Sequence, residues 1–213
     1  MTSAISPPPP GIEPGHGDPS VFDPMDDVPD GVPYVGATHF KGGRSAARHV
    51  AGLGHRRIAM ISGPDHAFCL ARVAGYRSVL ETAGLPADLE LIIRTGLTRE
   101  DGQAAADKLL ARPDRPTAIF TANDLQALGV YQAARDAGLR IPEDLSVVGY
   151  DDVPVVAWAD PPLTTVHQPL AEMAAAATEL ALKLGRGEQV PQLGLEIATR
   201  LVVRESTAPP PQD

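Results

Sequence analysis

Cysteine is nearly missing from this 213-residue chain, which has only Cys69. No intrachain disulfide is therefore possible, which fits a reducing compartment. Aromatic residues are scarce as well, at 4%. With 43% apolar residues overall, the core must be built from Ala, Val, Leu and Ile, which suits helices laid on a parallel sheet. Positive charge is short too. The formal net charge is -9, and the densest basic group, Arg44, Arg48, Arg56 and Arg57, reads as a solvated helix face and turn. An acidic chain without a basic stripe is poorly equipped to hold DNA or RNA by itself. No apolar run approaches membrane-spanning length, and the N-terminal stretch has neither a basic n-region nor an apolar h-region. The expectation is a soluble, cytoplasmic protein.

Catalytic patterns are equally sparse. There is no Gly-x-Ser-x-Gly elbow, and no motif surrounds Cys69. His39, His49, His55, His66 and His167 have no i, i+4 pairing or accompanying Cys set for a metal. Gly52-Leu-Gly54 precedes a strand pattern instead of following one, so a dinucleotide fingerprint is not indicated. Asp151 and Asp152 are adjacent, so their side chains should diverge and not share a proton. No enzyme activity, cofactor or metal is expected.

What is present is a regular alternation. Residues 1–31, dominated by Pro, Gly, Asp and Ser, cannot bury enough apolar surface to offset their ordering entropy and read as a disordered tail. Residues 208–213 read the same way. Between them the patterns predict strands at 33–36, 57–61, 89–94, 117–121, 145–149, 163–167 and 198–204. Helices are predicted at 42–52, from about 68 to 84, and at 99–111, 125–138 and 169–185. Gly52, Gly84 and Gly138 fall where helix C-termini favour a left-handed residue. The alternation predicts a doubly wound α/β fold, and the excursion after Asp152 suggests a second lobe.

Two stretches stand out. Thr117-Ala-Ile-Phe-Thr-Ala-Asn123-Asp124 and Leu145-Ser-Val-Val-Gly-Tyr-Asp151-Asp152 are buried-strand patterns ending in carboxamide and carboxylate groups. Ligands of open α/β sheets bind beyond the carboxyl ends of the strands. Asn123 and Asp151 should therefore converge on one pocket suited to a polyhydroxylated ligand. Asp124 is expected to cap the following helix, leaving Asn123 to face the cleft. Asp152 is expected to be solvated.

Five separated segments carry a resemblance. They are Gly54-His-Arg-Arg-Ile58, Ala71-Arg-Val-Ala-Gly-Tyr76, Ala122-Asn-Asp-Leu-Gln-Ala-Leu-Gly129, Ile141-Pro-Glu-Asp-Leu-Ser-Val-Val-Gly-Tyr-Asp-Asp152 and Pro162-Leu-Thr-Thr-Val166. In this order the chain resembles, over roughly 32–207, the effector-binding domain of the LacI/GalR (lactose-repressor/galactose-repressor) transcription regulators. The resemblance implies a type I periplasmic-binding-protein-like fold, with one complete C-terminal lobe plus the last strand and helix of the first lobe. It implies a sugar effector and a homodimer. Operator DNA would be read only through a helix-turn-helix that this chain, read as N-terminally truncated, lacks. A stand-alone periplasmic-type sugar-binding protein and a non-functional fragment are the alternatives.

The resemblance also assigns residues. Arg72 matches the arginine that reaches sugar hydroxyls, where a surface helical Arg would be the plain reading. Asn123 and Asp151 match the strand-end carboxamide and the sugar-binding carboxylate. Leu97 stands where relatives carry a stacking aromatic. Trp158 is either the missing platform or a packed loop anchor, and Gln168 adds a polar contact. The 169–185 helix carries an apolar stripe of Leu170, Met173, Ala174, Ala177, Leu180, Ala181 and Leu184. The resemblance places it in the first lobe, partly covered by the 42–52 helix and the 33–36 strand.

Overall fold

A computed structural model of the chain describes residues 32–86, 88–190 and 194–211. The expected tail over 1–31 lies outside the described residues. The elements are β1 (Tyr34–Ala37), α1 (His39–Gly52), β2 (Ile58–Ser62), α2 (Ala67–Thr82), β3 (Ile92–Arg94), α3 (Arg99–Leu110), β4 (Ala118–Thr121) and α4 (Asp124–Asp136). They are followed by β5 (Ser146–Asp151), β6 (Thr164–His167), α5 (Leu170–Gly185), β7 (Gly194–Ile197) and β8 (Arg200–Val202). Short 3-10 turns occupy Leu89–Leu91 and Pro154–Trp158.

Six strands form one sheet in the order β3-β2-β4-β5-β6-β8. Its neighbours pair in parallel except β6 with β8, which run antiparallel. The strand patterns explain why both faces are covered. Ile58, Met60, Ala118, Phe120, Val148 and Tyr150 point to the face packed by α1 and α2. Ala59, Ile61, Ile119 and Val147 point to the opposite face, packed by α3 and α4. Two-residue periodicity on a doubly covered sheet makes every position apolar, so β2 and β4 read as continuous runs. Each large side chain buried this way stabilises the fold by about 1.5–3 kcal/mol relative to exposure. Gly43 and Gly75 let α1 and α2 approach closely, because a Cβ on either would collide with the facing helix backbone.

A second, smaller unit consists of β1 paired in parallel with β7 and covered by α5. Its core is Val35, Ala37 and Met173, edged by Ala176, Ala177, Leu180 and Ile197. Met173 is the only buried residue of α5. Two expectations change here. The first predicted helix, α1, packs on the six-stranded sheet and belongs to the complete lobe. The α5 stripe is partly covered, as expected, but by β1 and β7 and not by α1, and Leu170 at its start is exposed. Ala174 is exposed, and Ala176 takes its place in the cluster.

Three crossings join the units, after β1, β6 and β7. Thr38 and Thr199 bind them together, their hydroxyl oxygens 3.1 Å apart and the Thr199 amide donating to Thr38 Oγ1 at 3.0 Å. The Gln168 amide donates to the Asp151 carbonyl at 3.2 Å.

The expected 208–213 tail is corrected at its start. The Ala208 carbonyl accepts from His55 Nε2 at 2.8 Å and from Ser146 Oγ at 3.0 Å. Ser206 is wholly buried, its hydroxyl donating to the Val147 carbonyl. A buried backbone group needs a partner, and this segment supplies it. Residues 212–213 lie outside the described residues. Left-handed glycines end α2 and α4 at Gly84 and Gly138 as expected, but after α1 the left-handed residue is Gly54, not Gly52.

Candidate functional site

The carboxyl ends of β2, β4, β5 and β6 face the crossings, and Arg72 lies among them. It is only 3% exposed, so the reading as a surface arginine fails. One terminal nitrogen donates to the Ala122 carbonyl at 2.5 Å. The other donates to Gln168 Oε1 at 3.0 Å and lies 3.3 Å from His39 Nδ1. Because a guanidinium only donates, His39 Nδ1 is the acceptor. The guanidinium stacks 3.5 Å from the Tyr150 ring centroid, an arrangement that supports a desolvated cation. Its Nε has no partner among the described residues.

Asp151 ends β5 with φ 111, and its Oδ1 stands 3.9 Å from the Arg72 guanidinium. Burial pushes its carboxyl up to about 6, against the opposing pull of Arg72. The desolvation effect wins because the pair is separated by more than a hydrogen bond. Next to this group, burial and the Arg72 charge lower His39 to about 3, so its ring is neutral at physiological pH. Gln168, at the β6–α5 crossing, is 7% exposed and directly contacts Arg72. Arg72, Asp151 and Gln168 thus come together.

Asn123 and Leu97 form an adjoining group. Asn123, not Asp124, caps α4. Its Oδ1 accepts from the Gln126 amide at 2.8 Å, and its Nδ2 donates to the Leu97 carbonyl at 2.8 Å. The carboxamide keeps one acceptor lone pair and one N–H beyond these bonds. Leu97 is half-buried, and a Cβ on Gly63 would meet its side chain and the Cys69 sulfur. Trp158 is 84% exposed, so it is no packed anchor. No hydrogen bond or ring contact joins it to the other candidates among the described residues. In its segment Val156 provides the anchor, fully buried.

Asp152 corrects the expectation of a solvated carboxylate. Its Oδ1 accepts from Arg204 at 2.6 Å and its Oδ2 lies 3.0 Å from His167 Nδ1. Asp151 and Asp152 do diverge, one toward Arg72 and the other toward Arg204. Sequence reasoning also missed Gln126, which is fully buried. It accepts from the Ala122 amide and donates to the Gly96 carbonyl, tying β4 to the turn after β3. A Gln three residues after a cap residue was the available signal. Among the described residues no group of three His, Cys, Asp or Glu side chains is arranged to hold a metal ion, and no helix is long and apolar enough to cross a membrane.

Residues 47–207 match the family described as the periplasmic binding protein-like domain. A regulatory protein of the LacI family from Chloroflexus aggregans superposes with a TM-score of 0.82 at 35% identity, covering 88% of this chain and 68% of that one. The chain belongs to the LacI family. Another LacI-family relative, the regulator CelR solved with cellobiose, superposes with a TM-score of 0.83 at 39% identity, covering 87% of this chain and 58% of that one. The HTH-type transcriptional regulator DegA of Bacillus subtilis is 42% identical over 170 residues, which is 79% of this chain and 50% of DegA. CelR of Thermobifida fusca is 40% identical over 82% of this chain and 52% of its own length. The chain therefore spans about half the length of the curated relatives it matches. Its two-unit architecture is that of the LacI-family effector domains, with the six-stranded unit as the complete lobe.

Proposed function

We propose that this chain is the effector-binding region of a sugar-responsive transcription regulator, working in the cytoplasm as part of a homodimer. The carrying observation is the buried Arg72 guanidinium, held by Gln168 and the Ala122 carbonyl beside Asp151 at the carboxyl edge of the sheet. A fixed fork of donors next to a carboxylate acceptor matches vicinal hydroxyl groups. The cellobiose held by CelR supports a carbohydrate effector. Asn123 adds its free donor and acceptor, Leu97 adds apolar contact, and exposed Trp158 is available to cover the ligand from outside. Nothing in this arrangement calls for catalysis. Operator contact belongs to a helix-turn-helix of the kind the relatives are named for.

The described residues line one side of the ligand, so affinity of this chain for sugar should be near millimolar, about 4 kcal/mol. Calorimetry with cellobiose and ribose tests this. Binding that disappears in Asp151→Ala and Arg72→Ala supports the assignment. Micromolar binding unchanged by both substitutions would sink it.

A further inference from the structure

Asp124 is the only acidic side chain among the described residues that is wholly buried. It opens α4, yet it does not cap that helix. Its Oδ1 accepts from the Thr165 hydroxyl of β6 at 2.6 Å, and its Oδ2 accepts from the Val153 amide at 2.9 Å. Room for it comes from Gly149 of β5, where a Cβ would collide with Asp124 Oδ1. Val153 immediately follows Asp151 and Asp152, whose φ angles of 111 and 62 place both in a region that non-glycine residues rarely adopt. Such a backbone persists only when its surroundings over-determine it. The carboxylate beneath the loop is one of those restraints.

We propose that Asp124 is a positioning residue for the ligand loop: it ties Val153 to β6 and so fixes Asp151 in the orientation that faces Arg72. The ligand consequence rests on the reading of Asp151 as an effector contact, whereas the tether does not. The charges around it are arranged asymmetrically. Asp151 is balanced by Arg72 and Asp152 by Arg204, while the Tyr131 phenol lies on Asp124's own helix. Among the described residues no cation pairs with Asp124. Its carboxyl is raised to about 7: burial lifts it most, the two hydrogen bonds oppose the rise, and Asp151 and Asp152 add to it. Asp124 therefore feels the charge of the loop that it also holds through the Val153 amide.

Asp124→Asn separates these roles. An amide oxygen can accept from Val153 while the amide NH2 donates to Thr165 Oγ1, which keeps the tether and removes the charge. In the full chain, hydrogen exchange of peptides spanning 151–153 should accelerate about tenfold in Asp124→Ala, less in Thr165→Val, and hardly at all in Asp124→Asn. Rescue of the exchange rate by Asp124→Asn, which keeps both hydrogen bonds, is an effect that simple packing volume would not produce in Asp124→Ala alone. A folded Asp124→Ala with wild-type exchange at 151–153, or exchange in Asp124→Asn as fast as in Asp124→Ala, would overturn the proposal. If Asp124→Ala does not fold, Thr165→Val and Asp124→Asn decide it. Cellobiose affinity is read separately. Binding lost in Asp124→Ala and kept in Asp124→Asn links the tether to the ligand. A wild-type chain that shows the exchange pattern but binds no cellobiose speaks against cellobiose as effector and leaves the tether standing.

Discussion

In the six-stranded unit, β2 and β4 are buried along their whole length, whereas in the two-stranded unit β7 leaves Leu195 and Glu196 exposed. The larger sheet is covered on both faces by helix pairs that fit tightly at glycine contacts. The smaller has one helix and a core of three buried residues. The same chain thus contains a larger, doubly covered unit and a smaller, singly covered one, joined by hydrogen-bonded crossings. Cooperative stability should reside in the larger unit, and the smaller should open locally at much lower free energy.

The sharpest way to break this contrast is to truncate a side chain in each unit. Phe120→Ala, in the middle of β4, should cost about 3–5 kcal/mol in urea denaturation. A much smaller loss would mean that the larger sheet relaxes around the cavity and is less tightly packed than its burial implies.

A pH experiment addresses the junction. Asp124 is raised from 3.8 to about 7 in the folded chain, and burial is the main cause. Between these values the folded state holds a proton that the unfolded state has released, so stability falls as pH rises through that window. Relative to Asp124→Asn, the wild-type chain should lose about 2–4 kcal/mol between pH 4 and pH 8. Parallel stability profiles for the two proteins would show that Asp124 is not desolvated in solution.

Met173→Ala probes the smaller core and should cost at most about 2 kcal/mol, the low end for truncating a buried Met. Its effect should appear as faster amide exchange in β1 and β7 with little change in β2 and β4. An equal acceleration in all four strands would make the two units one cooperative body. Least of all, Lys183→Ala removes the exposed Glu179–Lys183 pair of α5 and should leave the urea midpoint unchanged within error.

The contrast also explains what could be read from sequence. Strands β2, β4 and β5 were visible because a doubly covered sheet demands unbroken apolar runs. β7 was not anticipated, since Gly-Leu-Glu-Ile in a half-exposed pair has neither a continuous run nor clean alternation. The predicted 89–94 strand is shorter because Leu89–Leu91 winds into a 3-10 turn before β3 begins. At the site, the resemblance groups Arg72, Asn123 and Asp151, and the structure brings Arg72 beside Asp151 and Gln168 while Asn123 caps α4 next to Leu97. The α4 cap falls to Asn123 and not to Asp124, a choice the local pattern leaves open because either side chain can cap a helix. What decides between them is Gly149 and Thr165, which are distant in sequence and leave a buried slot for Asp124. Asp152 was misjudged for the same reason, since its cation, Arg204, arrives 52 residues later.

That late arrival has a consequence for synthesis. The segment from β8 through Ala208 supplies the sixth strand of the larger sheet, the Arg204 partner of Asp152, and the acceptor for buried His55. Yet the chain makes it only after α5 and β7 of the smaller unit have been laid down. On the ribosome, β2 through β6 must wait with an open edge and an unpaired buried histidine while that excursion is translated. Non-local closure of this kind slows folding and exposes strand edges in the interval. The nascent chain is therefore most open to chaperones, or to pairing with a neighbouring copy, between the emergence of β6 and that of β8.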